Sequence, residues 1–81
     1  MTKYNKQLGA EIRKKRRDRE ITVTQLAKYM GVHRNTIARW EAGLNEVGTE
    51  NLDIIAKLFG ISINLLLPKI NKREENAKTK K

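Results

Sequence analysis

The 81 residues contain no cysteine, one proline, one tryptophan, one phenylalanine and one histidine. Without cysteine there is no disulfide framework and no thiolate zinc site, so the simplest setting is a reducing one, the cytoplasm. The lone His33 has no cysteine to join it, and no metal site is expected. Apolar runs extend only a few residues, too short for a membrane span or the core of a signal peptide. No segment alternates at the strand period for long, and nothing repeats at solenoid spacing. The glycine-rich phosphate loop, the nucleophile elbow and the HExxH pattern are all missing. The expectation is therefore a chain that is not an enzyme and needs no cofactor.

Positive charge, by contrast, is abundant. Eighteen lysines and arginines face nine acids, a net charge of +9, and such an excess favours nucleic acid over anionic membranes or acidic proteins. The charge sits at the ends. Residues 1–20 hold eight basic and three acidic side chains and residues 68–81 hold six and two, while the middle is close to neutral. This predicts one small domain over 1–68 and a basic tail over 69–81 that is too polar to pack. The tail reads as a solvated end, as an arm following DNA, or as a linker.

Helical spacing and caps divide the domain. Leu8 and Ile12 lie one turn apart in "LGAEIRKKRRDRE", predicting a basic helix over about 5–19. Thr22 and Gln25 form a capping-box pattern, Ile21 is placed to staple onto Leu26, and Gly31 supplies a left-handed stop, so a helix spans 22–30. Val32 and Ile37 repeat that start pattern around His33, and Gly43 ends a third helix over 33–42. Leu52, Ile55, Ala56 and Phe59 share one face of a fourth, between Gly48 and Gly60. A fifth starts at Ser62 and must end near Pro68. The expected class is all-α: five short helices and a basic tail.

The third helix has two unlike faces. At roughly 100° per residue, with Arg34 at zero, Ala38, Ala42, Asn35 and Arg39 fall at about 40°, 80°, 100° and 140°. Ile37 and Trp40 fall near 300° and 240°, on the other side. The first face suits a DNA major groove. Arginine can donate two bonds to guanine O6 and N7, and asparagine can pair twice with adenine, each worth about 1–3 kcal/mol of discrimination. The small alanines let the backbone approach base edges. Trp40 is an expected core anchor.

Two helices joined by a short glycine-containing turn, the second bearing such a face, make a helix-turn-helix. "TQLAKYMGVHRNTIARWEAG" resembles that unit in the phage repressor, Cro and xenobiotic-response-element family of bacterial and phage regulators. The likeness runs from about Ile12 to Leu67 through "IRKKR", "LAKYMGV", "IARWEAG" and "LDIIAKLFGIS". It implies a compact five-helix lambda-repressor-like domain that regulates transcription. Ala27, Val32 and Ile37 would lock the two helices. Arg34, Asn35, Ala38 and Arg39 would face bases; Thr22, Thr24, His33, Thr36 and Asn45 would meet the backbone or share both roles. Arg16 resembles the family's first-helix arginine, implying a pair with Glu41. Three positions depart from the pattern. Val23 replaces a frequent backbone-touching glutamine, Glu46 and Glu50 put acids in a loop often basic or amide-bearing, and Lys15 stands where leucine is common. The run "RKKRRDR" reads as a solvated face that adds nonspecific attraction.

An apolar surplus remains in Ile54, Leu58, Ile61, Ile63, Leu67 and Ile70. It either closes the core around Trp40 or forms a dimer patch. An isologous dimer would read a pseudo-palindromic operator in double-stranded DNA, with half-sites roughly 10–10.5 bp apart. The leading expectation is a sequence-specific regulator, a homodimeric repressor that occludes a promoter. The rival is an antitoxin or adapter that binds a protein partner through the same fold, with DNA secondary. Nonspecific nucleic-acid binding through the basic arms is a third reading.

Overall fold

Thr2 opens the first helix, its hydroxyl accepting the Asn5 amide at 2.9 Å. This satisfies one of the donors that every helix start leaves unpaired. Helix α1 therefore spans Lys3–Asp18, two residues earlier than its apolar spacing suggests, because the cap precedes the first buried residue. The structure, a computed structural model, describes residues 2–68. The expected tail and Ile70 lie outside the described residues.

Helix α2, Val23–Met30, carries the complete capping box: Thr22 accepts from the Gln25 amide at 3.0 Å, and Gln25 accepts from the Thr22 amide at 2.9 Å. Helix α3, Arg34–Ala42, is capped by His33, whose Nδ1 accepts the Asn35 amide at 3.1 Å. Its end is fixed twice over at Gly43. The backbone there has φ 78°, and a Cβ would come within 2.7 Å of the Lys6 Cα, so glycine is required by conformation and by contact. Helix α4 spans Thr49–Phe59.

The class is all-α, as expected; the helix count is not. After Ser62 the chain makes only a 3₁₀ turn, Ile63–Leu65, with Leu65 and Leu66 donating back three residues at 2.9 Å each. Pro68 keeps Leu67 out of the α region, leaving too few residues for an i→i+4 ladder. The described residues hold four α-helices, this turn and no strand.

Helices α2 and α3 pack together, with α1 across α3 and α4 against the 3₁₀ turn. Their inward faces meet in one core: Leu8 and Ile12 from α1, Leu26 and Ala27 from α2, Ile37 and Trp40 from α3, Leu52, Ile55, Ala56 and Phe59 from α4, with Val47 and Leu66. Each large side chain withdrawn from water contributes roughly 1.5–3 kcal/mol. The α1–α3 crossing is close because Gly9 has no side chain. A Cβ there would run into the Trp40 and Glu41 carbonyls.

Arg16 joins three parts of this frame. Its Nε and Nη2 donate to the two Glu41 carboxylate oxygens at 2.6 and 3.0 Å, and Nη1 donates to the Ile21 carbonyl at 2.7 Å. The side chains are only 8% and 7% exposed. One guanidinium thus holds α1, the α1–α2 turn and α3, in a turn where Glu20 adopts φ 57°. A fork satisfied on every side is tolerable in low dielectric, whereas a half-satisfied one is costly.

Candidate nucleic-acid interface

Two glycine stops and two caps orient α3 so that its halves face opposite ways. Ile37 is fully buried and Trp40 is 4% exposed. Arg34, Asn35, Ala38, Arg39 and Ala42 are all exposed, with Thr36 half-buried at the boundary. The outer face therefore offers two guanidiniums and an amide around two small side chains, on a helix whose rotation is fixed from behind.

The outer side chains are not equally free. With its amide turned to face complementary partners, Asn45 donates to the Leu44 carbonyl at 3.0 Å and accepts from Arg39 Nε at 3.2 Å. The Leu44 amide in turn donates to the Arg39 carbonyl at 2.9 Å. Arg39 is therefore held at Nε while both terminal nitrogens remain available. Asn45, expected at the DNA backbone, is half-buried and engaged with this arginine. The signal that would have revealed it is the return of the loop after Gly43, a backbone path invisible to residue spacing.

Thr22 and Thr24 are exposed at the start of α2. The Thr22 oxygen is occupied by its cap, but its hydroxyl proton can still be donated. His33 is exposed, with Nδ1 committed to the cap. Val23, half-buried, brings no polar group to the flank where the resemblance anticipates a glutamine. Glu46 and Glu50 are exposed, and Lys15 is engaged by Glu11 at 2.9 Å.

A shallow groove of about 300 Å³ runs beside the outer face, lined by Arg13, Arg16, Arg17, Val23, Ala38, Glu41 and Ala42. The sequence pattern alone assigns Arg13 and Arg17 to a solvated face. The signal for them is the i, i+4 step from Gly9 to Arg13 to Arg17, one stripe of α1 directed toward α3.

Of the apolar surplus, Ile54 is exposed, while Leu58, Ile61, Ile63 and Leu67 are half-buried against the core. Leu65, unremarked in the sequence, is 49% exposed. Among the described residues no three His, Asp or Glu side chains cluster as metal ligands, and no helix is long and apolar enough to cross a membrane.

Comparison with known proteins places this geometry. The Helix-turn-helix family matches residues 12–66. The antitoxin PezA of Streptococcus pneumoniae serotype 4 is 34% identical over 55 residues, 68% of this chain but only 35% of PezA, so the chain spans about a third of that relative. The ImmF control region 10 kDa protein of Bacillus phage phi105 is 34% identical over 61 residues, covering 75% of this chain and 68% of that protein. The DNA-binding domain of BldD from S. venezulae superposes with a TM-score of 0.74 at 25% identity, covering 83% of this chain and 100% of the domain. The chain belongs to the Helix-turn-helix family.

Proposed function

We propose that this protein is a repressor that reads one major groove of double-stranded DNA with α3. The observation that carries the reading is the outward display of Arg34, Asn35, Ala38 and Arg39 on a helix anchored from behind by Ile37 and Trp40. Arg34 and Arg39 address guanines and Asn35 an adenine. Thr22, Thr24, His33 and Thr36 contact the flanking backbone or share both roles. The chain acts in the cytoplasm without a cofactor and is not an enzyme; bound across a promoter, it represses by occlusion. Exposed Ile54, with Leu58, Ile61, Ile63 and Leu67 beside it, pairs two copies on a pseudo-palindromic operator. A two-fold axis there spaces the half-sites roughly 10–10.5 bp apart.

Selection from random duplexes at two salt concentrations tests this. A palindromic consensus that persists at the higher salt supports readout by a dimer. Absence of any enriched sequence sinks the reading, because phosphate attraction alone selects nothing.

A second reading is favoured by the likeness to a protein named as an antitoxin. In it the apolar patch holds a different protein and DNA binding is secondary. Substituting Ile54 and Leu58 with lysine distinguishes the two. Loss of cooperative binding to the two-site duplex supports the homodimer; intact cooperative binding removes that patch from the dimer and favours the rival.

A further inference from the structure

The geometry points to Arg13 and Arg17 as a two-arginine clamp on a DNA backbone phosphate, seated in the groove between α1 and α3. The inference rests on the proposal that α3 enters the major groove and extends it to a contact from the first helix.

Three observations carry it. First, the arginine run on α1 divides by environment. Arg16 is buried and spends its guanidinium on Glu41 and the Ile21 carbonyl, and Arg19 donates to the Phe59 and Lys15 carbonyls. Arg13 and Arg17 are exposed and, among the described residues, form no ion pair. Second, the groove they line reaches the recognition face: its lining includes Ala38 and Ala42, on the face that carries Arg34, Asn35 and Arg39. A helix lying in the major groove has a phosphate ridge along each flank, so a concavity beside Ala38 and Ala42 meets that ridge. Third, the electrostatics of the groove are one-sided. Glu41 is the only carboxylate in its lining, and both of its oxygens are bound by Arg16. That floor is a neutral pair, the walls Val23, Ala38 and Ala42 add no charge, and the two remaining guanidiniums face a site with no competing anion. Forked donors of this kind match phosphate oxygens.

Val23 gives the arrangement a reason. An amide at the start of α2 would reach the backbone by itself, whereas valine lines the groove without offering a donor. The two arginines supply from α1 the polar contact that α2 omits.

The test compares the full chain with R13Q/R17Q and with K14Q/K57Q, which removes two charges elsewhere, on a mixed-sequence 20-bp duplex across a salt series. Each phosphate neutralised contributes about 0.9 to the slope of log affinity against log salt. R13Q/R17Q is expected to lower the magnitude of the slope by about 0.9, the share of one phosphate, and the low-salt affinity by roughly tenfold, equally on mixed and selected duplexes. K14Q/K57Q should change the slope by well under half of that, and R13K/R17K should retain most of it. Circular dichroism shows whether each variant keeps its helices, as exposed positions should. If R13Q/R17Q and K14Q/K57Q shift the slope equally, the clamp is refuted and only net charge is at work. A selective loss on the selected duplex makes the arginines base readers and likewise overturns it. Failure of the unsubstituted chain to bind any duplex removes both the reading and the clamp, whereas binding with an unaltered slope in R13Q/R17Q removes the clamp alone.

Discussion

The inner and outer faces of α3 share one backbone and differ in how many neighbours determine each side chain. On the inner face Ile37 and Trp40 are enclosed by the core, and Glu41 is held through both oxygens by Arg16. On the outer face Arg34, Asn35, Ala38 and Ala42 are exposed, and Arg39 alone has a side-chain partner, Asn45. The role of a charged residue here follows from its surroundings rather than its type. Arg16 acts as a structural bolt because it is buried and each of its three nitrogens is hydrogen-bonded, while Arg34 is exposed and available for recognition. Substitutions on the two faces should therefore fail in different measurements.

The largest effect is expected from the inner side. Arg16→Ala leaves the Glu41 carboxylate buried and unpaired and removes the donor to the Ile21 carbonyl. Loss of one partner of such a pair costs roughly 3–5 kcal/mol, a large part of the stability of a domain this small. Urea unfolding should show a lower midpoint at both low and high salt. A midpoint within a few tenths molar of the parent would mean that the pair is dispensable.

Gly9→Ala comes next. Its methyl group must displace the Trp40 and Glu41 carbonyls, which pushes α1 away from α3 at an expected cost of about 1–3 kcal/mol. The same displacement shifts Arg13 and Arg17 relative to the outer face, so DNA affinity should fall beyond what unfolding explains. Binding measured well below the melting temperature separates the two contributions. Equal stability would show that the crossing is looser than its geometry indicates.

On the outer side, Arg34→Ala and Arg39→Ala should leave unfolding nearly unchanged. Each should relax preference at one base pair by about 1–3 kcal/mol, seen as a loss of enrichment at that position in a repeated selection. Uniform weakening across all sequences would instead make the arginine a phosphate contact.

How far these roles were legible without coordinates depended on the range of the interaction that creates each one. The boundaries of α2 and α3 are written in local chemistry, in Thr22 with Gln25 and in the left-handed glycines Gly31 and Gly43, so spacing alone located them. The separation of Trp40 from Arg34 and Asn35 followed from helical rotation, another local quantity. Local pattern overestimates the last helix because its cap at Ser62 is genuine while the remaining length permits only a 3₁₀ turn. The close contact at Gly9 and the groove beside Arg13 and Arg17 needed the crossing angle of α1 on α3, which no residue spacing contains. A run of arginines on one helix looks uniform in the sequence; packing is what separates its members.

The smallest expected effect tests the one place where the outer face is restrained. Asn45 accepts from Arg39 Nε and, through the Leu44 carbonyl, is tied to the chain just beyond the α3 stop. Removing it with Asn45→Ala leaves an exposed guanidinium that water can solvate, so folding should change by little more than one ordinary hydrogen bond, about 0.5–1.5 kcal/mol. The consequence for recognition is conformational. An arginine fixed at Nε loses less side-chain freedom when its two terminal nitrogens meet a base. Preference at the base pair addressed by Arg39 should weaken several-fold while the Arg34 position is untouched, and the salt slope should stay constant because no charge is removed. If affinity instead falls equally for every sequence, Asn45 lies at the backbone after all, and the outer face of α3 has no internal support.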